Sequence, residues 1–302
     1  MTTVPADTTI RHVLERACPG LRVDSVHRLD AGHTSKQWVA ATDEGRLLVK
    51  IPQRDRDPAH FHRLVATTRL AAAHDIPVVR YRTLIPHDPD ADGPVLVQEF
   101  HEGDAAGDVW ESLDEDRRKI LCRDLGELVG RVHGIRGSHF GDPQGDGPAT
   151  LPESVDAELT ALLGRTDVLD DTVRTTVMAA VARLDPAAST PALVHGDLWL
   201  PNFLVSNGRV TCVLDFEHAT YADRFRDFGK LDEHIFDGFP AGRGVFLDAY
   251  TDACPVPDDW EQRTDLAHVL HAATMHVYFQ RWSPQWAPQY AQQVKEWLAR
   301  NA

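Results

Sequence analysis

Leu193-Val-His-Gly-Asp-Leu-Trp-Leu-Pro-Asn-Phe-Leu-Val-Ser-Asn-Gly-Arg-Val-Thr-Cys-Val-Leu-Asp-Phe-Glu217 is the stretch that decides the fold. It holds His195-x-Asp197, then Asn202 five positions after the aspartate, then Asp215 closing an apolar run. Asn207-Gly208 separates two β-rich runs, and Asn-Gly in that setting is the strongest short hairpin signal because both residues tolerate positive φ. With Asn207 and Gly208 as the turn, Ser206 faces Arg209, Asn202 falls opposite position 213, and Asp215 lies just beyond, at the open end of the hairpin. An amide and two carboxylates converge there. Hard oxygen donors of this kind suit Mg²⁺, which keeps several waters and is completed by substrate phosphates.

Outward from this segment the pattern changes character twice. Residues 9–17 have the apolar spacing of a short helix closed by Pro19-Gly20. Runs at 23–29, 37–42 and 46–51 read as three antiparallel strands, a helix is predicted over 58–74 with Phe61, Leu64, Val65, Thr68 and Ala72 on one face, and 78–79 and 94–100 read as further strands. Residues 1–100 therefore form a small mixed lobe. From about 113 helical spacing takes over, with Leu121, Leu125, Leu128 and Val132 on one face. A Gly/Pro-rich loop follows at 137–152, then helical stretches at 153–184 and 244–300. The fold class is α+β: a small antiparallel-sheet N-terminal lobe over 1–100 and a larger, mainly helical C-terminal lobe over 101–302.

Length and composition set bounds on this reading. A chain of 302 residues with 42% apolar and 25% charged residues is long enough for two lobes and too ordinary in composition for a disordered or fibrous protein. No apolar run of about 18 residues and no basic-then-apolar start is present, so no membrane partner and a cytoplasmic location are expected. Cys18, Cys122, Cys212 and Cys254 are scattered singly, as reduced thiols would be. Residues 1–100 carry 13 basic and 13 acidic residues, so the net charge of −15 lies wholly in 101–302, with 18 basic and 33 acidic. That balance disfavours a nucleic-acid partner and suits either plain solubility or a cationic or metal-bridged ligand. Only five lysines occur against 26 arginines, which makes Lys50, at the end of an apolar strand, conspicuous. Walker A, H-E-x-x-H and G-x-S-x-G patterns are all missing.

The spacing from Asp197 to Asn202 and on to Asp215-Phe216 matches the kinase template H-R-D-x-x-x-x-N followed by D-F-G. His195-Gly196-Asp197 to Asn202, then Val213-Leu-Asp-Phe-Glu217, resembles the aminoglycoside phosphotransferase and choline kinase-like family, small-molecule kinases of protein-kinase-like fold. The resemblance implies that Asp197 accepts or orients the proton of the attacking hydroxyl, that Asn202 and Asp215 hold Mg²⁺, and that ATP or GTP is the donor. It also implies that Lys50 binds phosphate, that Gln98-Glu99-Phe100 forms the hinge that holds the base, and that Asp223 and Asp227 brace the C-terminal lobe. The implied partner is a small molecule with a hydroxyl, foremost an antibiotic such as an aminoglycoside or a nucleoside or other sugar-bearing compound. Metabolite kinases of the choline, methylthioribose or homoserine type, and a non-catalytic nucleotide-binding protein, are the alternatives. The protein is expected to be a monomer or homodimer.

Two departures stand out. Residues 58–74 contain no Glu or Asp to pair with Lys50, so that role falls to Asp57, His60, Asp75 or bound phosphate alone. The loop Leu29–Gln37 has a single glycine, leaving the Ser35 hydroxyl or the backbone to meet phosphate. His195 is expected to be structural, bonding the backbone near Asp215, and Glu217 either to assist the metal or to brace its loop. His268 and His271 share a helix face but lack a third ligand, which favours solvated or substrate-adjacent histidines. Trp282, Trp286 and Trp297 are expected to pack against helices.

Overall fold

The computed structural model describes residues 7–30, 35–54, 56–166 and 168–301. They divide into two compact units: Met1–Asp104 with Thr211–Glu217, and Ala105–Val210 with His218–Ala302.

In the first unit, period-two alternation builds one antiparallel sheet. Helix α1 (Asp7–Ala17) is followed by β1 (Val23–Leu29), β2 (Ser35–Thr42), β3 (Gly45–Pro52), α2 (Pro58–Ala73), β4 (Tyr81–Asp88) and β5 (Gly93–Glu99), and the strands lie in the order β1-β2-β3-β5-β4. Trp38, Val49, Ile51 and Val97 point to one face and pack with Ile10 and Leu14 of α1 into a closed core. Successive side chains alternate across a strand, so Lys50, between Val49 and Ile51, projects from the opposite face. It pairs in register with Gln37 on one side and Leu96 on the other. Helix α2 starts on Asp57, whose side chain accepts from the Ala59 N–H 3.0 Å away, with Pro58 at the first helical position, a favoured combination. Its buried face holds Ala71 where Ala72 was expected; Ala72 is exposed.

The strand expected at 78–79 is instead a single parallel bridge from Val78 to Val213, reinforced by the Val213 N–H donating to Pro77 O at 2.8 Å. The fourth strand is β4, which carries Pro86 and has an irregular register between Ile85 and Asp88. Proline is confined to sheet edges because it donates nothing to a ladder, and β4 is an edge strand. The bridge at Val213 is also why Thr211–Glu217 belongs to this unit.

The second unit is mainly helical. A short strand β6 (Asp104–Ala105) leads into α3 (Ala106–Val109), α4 (Glu115–His133), α5 (Leu151–Leu163) and α6 (Asp171–Val181). The three-residue strand β7 (Ala192–Val194) comes next, then the hairpin strands β8 (Phe203–Ser206) and β9 (Arg209–Val213), and β10 (Thr220–Ala222), which pairs antiparallel with β7. Asn207 and Gly208 both have positive φ, as a two-residue hairpin turn demands. Helices α7 (Arg226–Leu231), α8 (Pro240–Ala253), α9 (Trp260–Trp282) and α10 (Ala287–Asn301) complete the unit. Leu159, Val177, Leu270, Val294 and Trp297 share one core. Trp297 packs as expected, whereas Trp282 and Trp286 are 45% and 52% exposed. They flank the turn that Pro284 imposes between α9 and α10. Helices α4 and α8 meet backbone to backbone: a Cβ on Gly126 would lie 2.2 Å from the Phe246 carbonyl oxygen. Among the described residues no helix is long and apolar enough to cross a membrane.

Candidate active site

Strand β7 ends at Val194 and delivers His195-Gly196-Asp197 as a tight loop. Gly196 has φ +78°, and a Cβ there would lie 2.6 Å from the His218 carbonyl oxygen, so both backbone conformation and space require glycine. The loop is pinned from below by Asp227 of α7, which is 1% exposed. Its Oδ2 accepts the His195 N–H at 2.8 Å and its Oδ1 the Gly196 N–H at 2.7 Å. His133, at the end of α4, donates to Oδ2 through Nε2 at 3.1 Å, while its Nδ1 meets the Tyr250 hydroxyl at 3.0 Å. Burial disfavours the charged form of Asp227, but the hydrogen bond and charge of His133 outweigh it and hold the carboxyl below its ordinary range. Asp223, shortly before it in the chain, accepts from the buried Arg263 at 2.5 Å.

This pinning fixes Asp197. The His195 ring, fully buried, takes the Asp197 N–H on Nδ1 at 3.2 Å. Asn202 donates through Nδ2 to the Asp197 carbonyl at 2.8 Å and to Oδ2 at 2.9 Å. That orientation leaves the Asn202 side-chain oxygen out of both bonds. The other carboxylate oxygen, Oδ1, is bound by the ammonium of Lys230. Burial raises the Asp197 pKa, yet the Lys230 charge and hydrogen bond lower it further, and the group lies below its ordinary value. Asp197 is therefore an ionised, oriented carboxylate.

In the first unit, Lys50 Nζ lies 3.3 Å from Asp215 Oδ1. Burial works against the charged amine, but the Asp215 carboxylate overrides it, and the Lys50 pKa is raised. Among the carboxylates weighed from sequence, Asp57 caps α2, and the partner of Lys50 is the motif aspartate itself. Asp215 sits at φ +55°, an uncommon conformation for a non-glycine residue that functional sites maintain. Glu217 stands 3.6 Å from His60 Nε2, so it ties its loop to α2.

Of the residues expected at the hinge, Gln98 and Glu99 end β5 and Phe100 follows it. Glu99 N–H donates to Arg80 O at 2.8 Å and Phe100 N–H to Arg46 O at 2.9 Å, and the Arg46 guanidinium lies 4.3 Å over the Phe100 ring. Gln98 is 3% exposed, and its Oε1 has no hydrogen-bond partner among the described residues. Ser35 opens β2, opposite Pro52; the rest of the expected phosphate loop, residues 31–34, lies outside the described residues.

Among the described residues no three His, Cys, Asp or Glu side chains cluster as a metal cage. Of the two residues expected to hold the metal, Asn202 belongs to the second unit and Asp215 to the first. His268 and His271 are engaged elsewhere: their Nε2 atoms meet Asp232 at 2.8 Å and Glu233 at 2.6 Å. His276 donates to Ala287 O and accepts from Thr166. Sequence reasoning missed Lys230 and His133. Lys230 had a signal, being one of five lysines and three residues beyond Asp227 on one helix face.

An antiparallel sheet with a strand lysine in the first unit and a mainly helical second unit carrying a pinned Asp–Asn loop are the parts of a protein-kinase-like fold. The fold is shared with aminoglycoside phosphotransferase APH(2")-IIIa in its GDP and kanamycin complex (16% identity, 97% of this chain and 99% of that one, TM-score 0.64). It is shared too with a thermostable mutant of APH(4)-Ia in ternary complex with AMP-PNP and hygromycin B (17% identity, 97% and 98%, TM-score 0.69). An aminoglycoside 3'-phosphotransferase of Escherichia coli is 30% identical over 120 residues, 39% of this chain, and the match spans 44% of that relative's length. Residues 25–266 match the model of the phosphotransferase enzyme family, and the chain belongs to that family.

Proposed function

We propose that this protein is a Mg²⁺- and nucleoside triphosphate-dependent O-phosphotransferase that phosphorylates a hydroxyl of a small molecule, foremost an antibiotic of the aminoglycoside or sugar-bearing type. The observation that carries the reading is Asp197: ionised, one oxygen fixed by Asn202, on a loop that a buried carboxylate holds by two backbone amides. General-base catalysis needs a positioned, unprotonated group of this kind. Residues 1–100 serve as the nucleotide lobe, with Lys50 and Ser35 toward phosphate and Gln98, Glu99 and Phe100 toward the base. Residues 101–302 carry the acceptor. Mg²⁺, when bound, neutralises charge on the phosphates, and Asn202 and Asp215 are the residues that hold it.

The acidic excess of residues 101–302 supports an acceptor bearing amines, and the relatives named above make aminoglycosides the first class to assay. The test is ATP and GTP consumption with Mg²⁺ against a panel of antibiotics and small alcohols, with products weighed by mass spectrometry. One acceptor gaining one phosphate group is expected. Asp197→Ala abolishes transfer while nucleotide still binds; near-normal turnover by that variant refutes the assignment. Transfer to a choline-like or sugar metabolite alone replaces the antibiotic with a metabolite.

A further inference from the structure

Helix α7 sends two charged groups to the same three-residue loop. Asp227 and Lys230 are three residues apart, so they lie on one face. Asp227 pins the backbone of 195 and 196, and Lys230 binds the side chain of Asp197. The Lys230 side chain is only 16% exposed, and its ammonium lies 5.3 Å from the centre of the Trp199 ring. Exposed ion pairs contribute little to stability, and burying a pair is costly, so stability does not account for a lysine held here. A strongly hydrated point charge on a flexible stem is, however, well suited to changing partners.

The two contacts of Asp197 differ in kind. Asn202 is tethered twice, to the carboxylate and to the backbone carbonyl of the same residue. Lys230 makes its contact through one mobile amine. A base must sit about 2.6–3.2 Å from the hydroxyl oxygen it serves, and that oxygen must come within about 3–3.5 Å of the phosphorus it attacks. Any ammonium bonded to the base is then within a side-chain rotation of the oxygens on the transferring group.

On the phosphotransferase reading above, we infer that Lys230 is a catalytic cation that leaves Asp197 for the transferring phosphoryl group as Asp197 takes the acceptor's proton. The acceptor O–P bond forms, the bond from phosphorus to the nucleoside diphosphate oxygen breaks, and the hydroxyl proton moves to an Asp197 oxygen. Lys230 keeps its proton throughout. Its pairing passes from a carboxylate being neutralised to phosphoryl oxygens in need of a counter-charge, so the cation is not stranded at either end of the step.

The test compares wild type, Lys230→Met and Lys230→Arg. ADP and GDP affinities are measured with Mg²⁺ alone and with Mg²⁺ plus aluminium fluoride, which mimics a phosphoryl group in flight, and kcat and KM are measured for ATP and GTP with water as acceptor. Diphosphate affinity within threefold of wild type shows that Lys230→Met is folded. That variant is expected to lose at least tenfold of the tightening that aluminium fluoride gives wild type, and at least 100-fold in kcat with KM little changed. Lys230→Arg recovers most of both. Equal tightening and equal kcat in Lys230→Met and wild type overturn the role of Lys230 alone. A wild type that neither tightens on aluminium fluoride nor consumes nucleotide overturns the phosphotransferase reading, and this inference with it.

Discussion

Asp227→Asn is the substitution whose cost follows most directly from the structure. The native carboxylate accepts three hydrogen bonds, two from backbone amides and one from His133. An asparagine keeps the shape but has one acceptor oxygen. Placed at the Oδ2 position, that oxygen retains His195 N–H and His133, and turns the new NH₂ toward the Gly196 N–H. One charge-assisted bond is lost, at about 1.5–3 kcal/mol, and the two survivors fall to the roughly 1 kcal/mol of neutral bonds. The expected loss is about 4 kcal/mol, in line with the roughly 3–5 kcal/mol for breaking a buried charged pair, and a large share of the roughly 5–15 kcal/mol that holds a domain folded. Urea unfolding at pH 7 with an unchanged m-value measures it. Because the same amides position Asp197, kcat for nucleotide consumption falls with stability while nucleotide KM stays near wild type. A variant within about 1 kcal/mol of wild type with unaltered kcat refutes the view that Asp227 sets this loop.

Glu233 is held at about 2, below its ordinary 4.5; burial opposes that ionisation, and bonds from His271 and Tyr290 prevail. Its contribution is present above pH 4.5 and lost as pH falls through about 2, so Glu233→Gln costs about 2 kcal/mol at pH 7 and the gap narrows by pH 3; the same gap at both pH values counts against it. Gly126→Ala forces a Cβ onto the Phe246 carbonyl and is expected to destabilise by about 2–3 kcal/mol. Gly244→Ala, with nothing within 4 Å, is expected to stabilise by about 0.5–1 kcal/mol, and thermal melts of the two should shift in opposite directions. Of the four free thiols only Cys18 is not buried, and burial pushes Cys122 and Cys212 up to about 12. Titration with a thiol reagent at pH 8 should therefore show one fast equivalent in native protein and four after unfolding; two or more fast equivalents contradict this packing.

What was legible in the sequence was what local rules determine. Asn207-Gly208 announced its turn because few dipeptides tolerate those dihedrals, and the β-rich runs at 23–29, 37–42 and 46–51 gave the strands, whereas the face from which Lys50 projects became plain only from the register. Strand β4 was hidden because Pro86 argues against a strand, and only its edge position permits it. The partner of Lys50 was sought on the nearest helix, by sequence proximity, whereas the side chain that meets it is 165 positions away. Lys230 was overlooked for a related reason: its scarcity and its spacing from Asp227 single it out, but which loop α7 faces is written in neither. The motif aspartate and asparagine were legible as a pair; the cation that completes them was not.

The seven residues from Thr211 to Glu217 belong to a unit whose other members end at Asp104. The chain therefore leaves that unit, builds most of the other, returns for one short visit and leaves again. At the roughly 5–20 residues per second of synthesis, the sheet of the first unit emerges on the order of ten seconds before the segment carrying Asp215. Until then Lys50 has no carboxylate from that segment, and Pro77 lacks the amide of Val213. The N-terminal unit must wait, its sheet already made, for a later part of its own chain. A truncation ending anywhere before residue 217 should consequently leave the first unit incomplete although its entire sheet has been made.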